Sequence, residues 1–246
     1  MNPQVIKTAL QAAAAAAPSK NERMGKVDGY GFDYPEIAVK VQDGNLRGYS
    51  TNHHALSEVI IPAPHGCEDT NGFRQFVSVN DVATSIIAGN GVPESTTKYE
   101  LVSYEGRIIQ RDHNRETWEL PRMATLDAIR RVFKTFPRVS QRGEWCTFQM
   151  DRGSNGTLRI SRPEESDWRH GNLPAYEHET DIEIAEGFPP FRTNFTWLRN
   201  LFFRFRGKTL QFSTGEVNEV HPAQLESTYT RFNVTIQMIA AIMPVD

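Results

Sequence analysis

The sequence is poor in cysteine, in long apolar runs and in the short motifs of common enzymes. Only Cys67 and Cys146 are cysteines among its 246 residues, too few for a disulfide framework or a four-cysteine zinc site. One disulfide between them is an alternative, but two free thiols in a reducing compartment are the preferred interpretation. No apolar run approaches the roughly 18 residues that cross a membrane, so no membrane contact is expected. Without a G-x-S-x-G, H-E-x-x-H or glycine-rich dinucleotide motif, the sequence predicts a protein that is not an enzyme and needs no cofactor.

The sequence also has no large excess of basic or of acidic residues. The chain has 27 basic and 30 acidic residues, which give a formal net charge of −3. This balance supplies no general attraction to nucleic acid, which is therefore not expected as a partner. A hydrophobic content of 39% and a mean hydropathy of −0.50 indicate a loop-rich chain, or one that keeps part of its surface for partners.

The stretch "STNHHALSEVIIPAPHGCED" (residues 50–69) groups several possible metal ligands. His53 and His54 are adjacent and would point to opposite faces of a strand. His65 and Cys67 could share an ion, but no second ligand pair follows at the spacing that zinc sites use. Because prolines and glycines surround them, an exposed loop is the preferred interpretation, and no metal is expected.

The first 34 residues are predicted to form an N-terminal helical arm and its connector. Alanine-rich residues 3–17 favour a helix that ends before Pro18, and a polar, glycine-rich connector follows. The apolar side of this helix is narrow, so the helix needs a surface on which to dock, such as a neighbouring subunit. Residues 35–246 are then expected to form a single β-rich domain.

One internal helix is predicted in "MATLDAIRRVFKTF" (residues 123–136). Its apolar residues recur at steps of three and four and form one stripe: Leu126, Ile129, Val132, Phe133 and Phe136. The other side of the helix and the residues after it carry four basic side chains: Arg130, Arg131, Lys134 and Arg138. These are either a solvated basic face, which is the preferred interpretation, or candidate nucleic-acid contacts.

Most of the remaining chain alternates apolar and polar residues, as in "EIAVKV", "FRQFVSV" and "TLRISR", which indicates strands joined by turns. We therefore predict a mainly β (α+β) fold: an antiparallel sheet or barrel-like core with one amphipathic helix and the N-terminal helical arm. The last segment, residues 228–243, would be one strand reaching about 50 Å at about 3.3 Å per residue. One face of that strand would comprise Phe232, Val234, Ile236 and Met238.

Two segments alternate charged residues of opposite sign. A strand over "EHETDIEIAE" places four carboxylates on one face: Glu177, Glu179, Asp181 and Glu183. A strand over "LFFRFRGK" places three cations opposite Phe203 and Phe205: Arg204, Arg206 and Lys208. Both faces could be solvated, the acidic face could hold a divalent metal, or the two could meet within a sheet or across a subunit boundary. The last alternative makes these residues candidates for an oligomer interface.

The order of these elements resembles the tail-completion and neck proteins of bacteriophages. The resemblance is carried by the N-terminal helix, a "YPEIAVKV" strand, the amphipathic helix and the closing "TRFNVTIQMIAAIM" segment. It implies a non-enzymatic structural subunit of a virion that forms a homo-oligomer and contacts other structural proteins of that assembly. The alternatives are a coat or adaptor protein that contacts nucleic acid, and a metal-dependent hydrolase that uses the acidic face or the His65–Cys67 loop.

Overall fold

The computed structural model describes residues 1–18, 26–27, 30–31, 34–52, 55–97, 116–136, 147–162, 164–167, 171–213 and 223–242. Its helices are α1 (Pro3–Ala13), which continues as a 3-10 turn over Ala14–Ala16, α2 (Val79–Ile87), α3 (Arg122–Phe133) and α4 (Phe195–Arg204). No helix in these ranges is both long and apolar enough to cross a membrane.

The strands are short and pair in antiparallel fashion. In chain order they are β1 (Lys26–Val27), β2 (Tyr30–Gly31), β3 (Ile37–Gln42), β4 (Asn45–Thr51), β5 (Ala55–Pro62), β6 (Arg74–Phe76), β7 (Thr117–Pro121), β8 (Thr147–Arg152), β9 (Thr157–Arg162), β10 (Glu165–Asp167), β11 (Gly171–Leu173), β12 (Tyr176–Glu183), β13 (Phe191–Asn194), β14 (Thr209–Ser213), β15 (Ala223–Arg231) and β16 (Val234–Ile242). The predicted fold class, mainly β with antiparallel sheets, is confirmed. Helices α2 and α4 are additions that the sequence did not predict.

The chain forms two compact units. Unit 1 comprises Met1–Arg111 and Ser227–Ala240, and unit 2 comprises Asp112–Glu226 and Ala241–Asp246. This division differs from the expected arm over residues 1–34 and single domain over 35–246. The difference arises because each unit has its own strands and its own pair of helices and buries its own apolar core.

Unit 1 is a sheet covered by α1 and α2. Its strands lie in the order β6, β3, β4, β5, β16, and residues 227–231 of β15 follow β16. The apolar side of α1 is fully covered, since Val5 is 0% and Leu10 is 2% exposed. Helix α1 is therefore a core element of its own unit rather than an arm waiting for a neighbouring subunit.

Small side chains explain how a helix with so little apolar surface docks there. A Cβ atom added to Gly48 of β4 would lie 3.1 Å from the Cβ of Ala13, so helix and sheet approach closely. The hydroxyl of Ser50 donates to the Ala13 carbonyl (2.7 Å), and that of Ser57 donates to the Ala12 carbonyl (2.8 Å). These bonds add side-chain donors to carbonyls at the end of α1 and tie the helix to the sheet.

The predicted long strand over residues 228–243 is instead a hairpin of β15 and β16. The chain reverses at Phe232 and Asn233, whose φ angles are 50° and 60°. Two consecutive positive φ values are typical of the tight two-residue turn that joins antiparallel strands. Ile236 and Met238 are buried as predicted, but Phe232 is 59% exposed because it lies in the turn.

Unit 2 contains two sets of strands. One sheet has the order β12, β9, β8, β13, and in the other β14 lies between β7 and residues 223–226 of β15. Helix α3 contacts β12 and β9, α4 contacts β13, and the two helices contact each other. The pair formed by α3 and α4 carries the candidate site.

Candidate nucleic-acid interface

Helix α3 confirms the predicted internal helix, with small differences at its ends. Leu126, Ile129 and Val132 are at most 1% exposed, so the predicted stripe is the side that packs on the unit. Arg130 and Arg131 lie in the last turn, where the helix dipole favours positive charge. Lys134 follows as the capping residue, and Arg138 lies outside the described residues.

Helix α4 corrects the predicted strand over "LFFRFR". Phe195, Leu198, Leu201 and Phe202 are buried, a spacing of three and four that suits a helix. The helix starts at Asn194, whose side-chain oxygen accepts the Thr196 N–H at 2.8 Å. Apolar and basic residues alternate over 201–206, and this pattern led to the wrong prediction of a strand. The pattern covers the end of α4 and the buried Phe205 that follows the helix.

Aromatic rings hold the two helices together. The rings of Phe133 and Phe195 are stacked, with centroids 3.7 Å apart and planes 5° from parallel. The Arg199 guanidinium lies 5.5 Å from the Phe195 ring and 6.0 Å from the Phe133 ring. Burial lowers the pKa of Arg199, and the positive charge of Arg130 lowers it further. No local sequence pattern indicates this packing, because Phe133 and Phe195 are far apart along the chain.

Arg122 fixes the start of α3 against the end of α4. Its Nε–H donates to the Gly207 carbonyl (3.1 Å), and its Nη1–H donates to the Phe202 carbonyl (3.0 Å). Burial lowers the pKa of Arg122, and the nearby charge of Arg206 adds to this effect. A guanidinium bound to carbonyls at a helix C-terminus stabilises that end, so the relative position of the two helices is well determined.

The outer side of this pair, which we call the helix-pair surface, is strongly basic. It comprises Arg130, Arg131, Lys134, Arg199 and Arg204, and its acidic member is Asp127, 3.4 Å from Arg130. A groove of about 340 Å³ runs between the Phe133–Phe195 stack and Phe203. Arg130, Arg199 and Arg204 line this groove. Helices α3 and α4 are separated in sequence but together form one positive surface. The net charge of −3 for the whole chain gives no indication of it.

The predicted acidic face exists, but the predicted basic strand does not. Glu179, Asp181 and Glu183 are exposed on β12 and line a cavity of about 730 Å³ together with Arg131. Arg204 ends α4, whereas Arg206 and Lys208 lie in the connection to β14. The three cations are exposed but do not share a strand face. A role of these six residues in an oligomer interface stays a prediction.

Within unit 2, the acidic strand β12 lies next to β9, which carries the cation Arg159. It binds Asp151 through two hydrogen bonds (2.7 and 2.9 Å) and lies 3.7 Å from Glu177. The hydrogen bonds and charge of Asp151 raise the pKa of Arg159, with smaller effects from Glu177 and Glu179. Glu179 itself accepts a hydrogen bond from the Thr157 hydroxyl at 2.8 Å. Part of the carboxylate repulsion is therefore relieved inside the sheet.

Within the described ranges, no three side chains of His, Cys, Asp or Glu are placed to hold a metal ion. The expected loop around His65 and Cys67 is confirmed, since it lies between β5 and β6 with His65 exposed. Burial raises the pKa of the Cys67 thiol. His53, His54 and Cys146 lie outside the described residues.

Comparison with known proteins gives a fold but no family. No protein-family model matches the sequence. No curated protein matches it either. Among solved structures, the DNA polymerase sliding clamp from Pseudomonas aeruginosa superposes with a TM-score of 0.68 at 13% identity, covering 100% of this chain and 66% of that one. The chain has the fold of a sliding clamp.

Two further structures agree. The DNA polymerase III subunit beta from P. aeruginosa gives a TM-score of 0.70 at 13% identity, and the beta subunit from Thermotoga maritima gives 0.61 at 11%. Both alignments cover 100% of this chain and 64% of the other. The chain therefore spans about two thirds of the length of the clamps that it resembles.

These findings correct several predictions. The resemblance to phage tail-completion and neck proteins is wrong, and with it the virion location and the structural partners, because a helix followed by hairpins is common to many β-rich folds. The expected absence of nucleic acid as a partner is contradicted by these neighbours, which are DNA polymerase clamps. The prediction rested on the net charge, which averages over the local helix-pair surface. The prediction that the chain is not an enzyme agrees with these neighbours, which are clamp subunits.

Proposed function

We propose that this protein is a DNA polymerase sliding clamp, which closes into a ring of identical copies around duplex DNA. The observation that carries this proposal is the superposition of the whole chain on bacterial clamps, with TM-scores of up to 0.70. The homo-oligomer expected from the sequence fits this function, but its setting is DNA replication rather than a virion.

The helix-pair surface supplies the chemistry that a clamp requires. Arginine and lysine bind phosphates without reading the base sequence, so a protein held by such contacts can move along the duplex. Five basic side chains lie on α3 and α4 and in the α3 cap, with the carboxylate of Asp127 among them, and Arg131 also borders the acidic cavity beside β12. Unit 2 therefore presents an excess of positive charge to the phosphates.

Unit 1 contributes much less charge through its own helices. Helix α1 carries Lys7, and α2 carries Asp81, so the two charges cancel. We expect the helices of unit 2 to provide most of the affinity for DNA. Because the positive charge lies mainly on the helices of unit 2, substitutions of single residues there can test the proposal.

The test removes two charges from the helix-pair surface by combining Arg131→Gln with Lys134→Gln. Both residues are exposed, so the fold should be unaffected. Affinity for a short duplex, measured by fluorescence anisotropy over a range of salt concentrations, should fall. The slope of log affinity against log salt should decrease by roughly 2, since each phosphate that the protein no longer neutralises lowers it by about 0.9.

The matched control is Arg231→Gln, which removes an exposed arginine from the β15–β16 hairpin. It should leave the salt slope as it is in the unmodified protein. If the double variant keeps the original slope, or if Arg231→Gln lowers it equally, the helix-pair surface does not contact DNA and the proposal loses its physical basis.

A further inference from the structure

Phe203 is an unusual residue on the helix-pair surface. It is 52% exposed, whereas its neighbour Phe202 is fully buried. An exposed phenylalanine adds nothing to phosphate binding, which needs only cations. The Arg130 guanidinium lies 5.9 Å from the centre of its ring, so the ring faces the groove rather than a core.

The groove beside Phe203 combines a half-exposed aromatic ring, which has the Arg130 guanidinium over one face, with converging cations. Arg130, Arg199 and Arg204 line it, and the Phe133–Phe195 stack forms its apolar wall. Its volume of about 340 Å³ lies in the range of small-ligand sites, roughly 300–1,000 Å³. Burial lowers the pKa of Arg199, and the positive charge of Arg130 lowers it further, so an anion between these two cations would relieve their repulsion.

Aromatic side chains in a basic groove are what proteins use to hold unpaired nucleotides, because bases stack on the ring while cations follow the backbone. Bases of an intact duplex are already stacked and cannot offer a free face. We infer that this groove binds an unpaired nucleotide of single-stranded DNA, with its base on Phe203 and its phosphate between Arg130 and Arg199. The inference rests on the proposed function, and it adds that this clamp distinguishes single-stranded from duplex DNA.

The experiment compares a fluorescein-labelled oligo(dT) with a labelled duplex hairpin, using anisotropy at fixed low salt. Phe203→Leu keeps the apolar surface but removes the ring. It should raise the Kd for oligo(dT) by roughly 5- to 100-fold, as loss of one base–aromatic stack does, and change the Kd for the duplex by less than about twofold. Phe203→Trp should keep or strengthen the binding of oligo(dT). Met123→Leu, at a residue that is 50% exposed on α3, is the matched control and should change neither Kd.

Each other outcome overturns a specific statement. If the unmodified protein binds the duplex but not oligo(dT), or if Phe203→Leu binds oligo(dT) normally, the inference is wrong and the proposed function stands. Binding of neither probe by the unmodified protein would show that the helix-pair surface does not hold DNA, and the proposed function would lose its physical basis as well. If Phe203→Leu changes the native mass, a second copy of the chain covers Phe203, and the groove is a subunit contact instead.

Discussion

Alanine side chains set how closely α1 can approach the sheet of unit 1. The Cβ of Ala13 lies against Gly48, and no larger pair of residues fits at that distance. Ala13→Leu should therefore lower the free energy of unfolding by about 1–3 kcal/mol through overpacking. Chemical denaturation measures this change. Ala14→Leu, at a half-buried position of the same segment, should cost clearly less. Equal losses from both variants would show that Ala13 is not the close contact.

Single residues also mark what the sequence can and cannot predict. Leu126, Ile129 and Val132 repeat at helical spacing, so α3 is predictable from local pattern alone. The stack of Phe133 on Phe195 depends on two helices that are distant in sequence, and no local pattern specifies it. For this reason the sequence favours a solvated face for the basic residues of α3, and it does not point to Arg199 or Phe203 at all.

At the scale of elements, the hairpin of β15 and β16 contains a strained turn. Phe232 adopts a φ of 50°, which costs a side chain such as phenylalanine about 1–2 kcal/mol and is much easier for asparagine. Because the ring is 59% exposed, little buried surface offsets this strain. Phe232→Asn should raise the free energy of unfolding by about 1 kcal/mol in urea denaturation. The Arg231 guanidinium lies 5.3 Å from the centre of the Phe232 ring, and a decrease would mean that the contacts of the ring outweigh the strain.

Element patterns also explain which strands were predictable. The alternation in β12 is real, since Glu179, Asp181 and Glu183 are exposed while Ile182 is buried. The same alternation in "LFFRFR" is accidental, because four aromatic and aliphatic residues at helical spacing already complete an apolar stripe there. A window of six residues could not separate the two cases. The ten residues of α4 could have done so.

At the scale of the whole molecule, the proposed ring of identical copies requires more than one copy of the chain. Native mass spectrometry should therefore show an assembly of several copies of the 27.9 kDa chain. A monomer at micromolar concentration would argue against any ring.

The fold family itself could not be found in the sequence. At 11–14% identity, the residues shared with the clamps are too few to recognise, although the backbone is shared over the whole chain. The β-rich class was predictable because burial alternates along its strands. The pairing of strands was not predictable, because it joins segments that are distant along the chain, such as β5 and β16 within unit 1.

The most direct measurement asks whether the protein is held on DNA by topology. The protein is incubated with a nicked circular plasmid, closed with a bifunctional crosslinker, and passed over a gel-filtration column in high salt, which cancels phosphate contacts. A sliding clamp should stay with the circular plasmid and be lost after a single restriction cut, since a closed ring can leave only through a free end. Equal retention before and after the cut, or no retention on the circular form, would contradict the account.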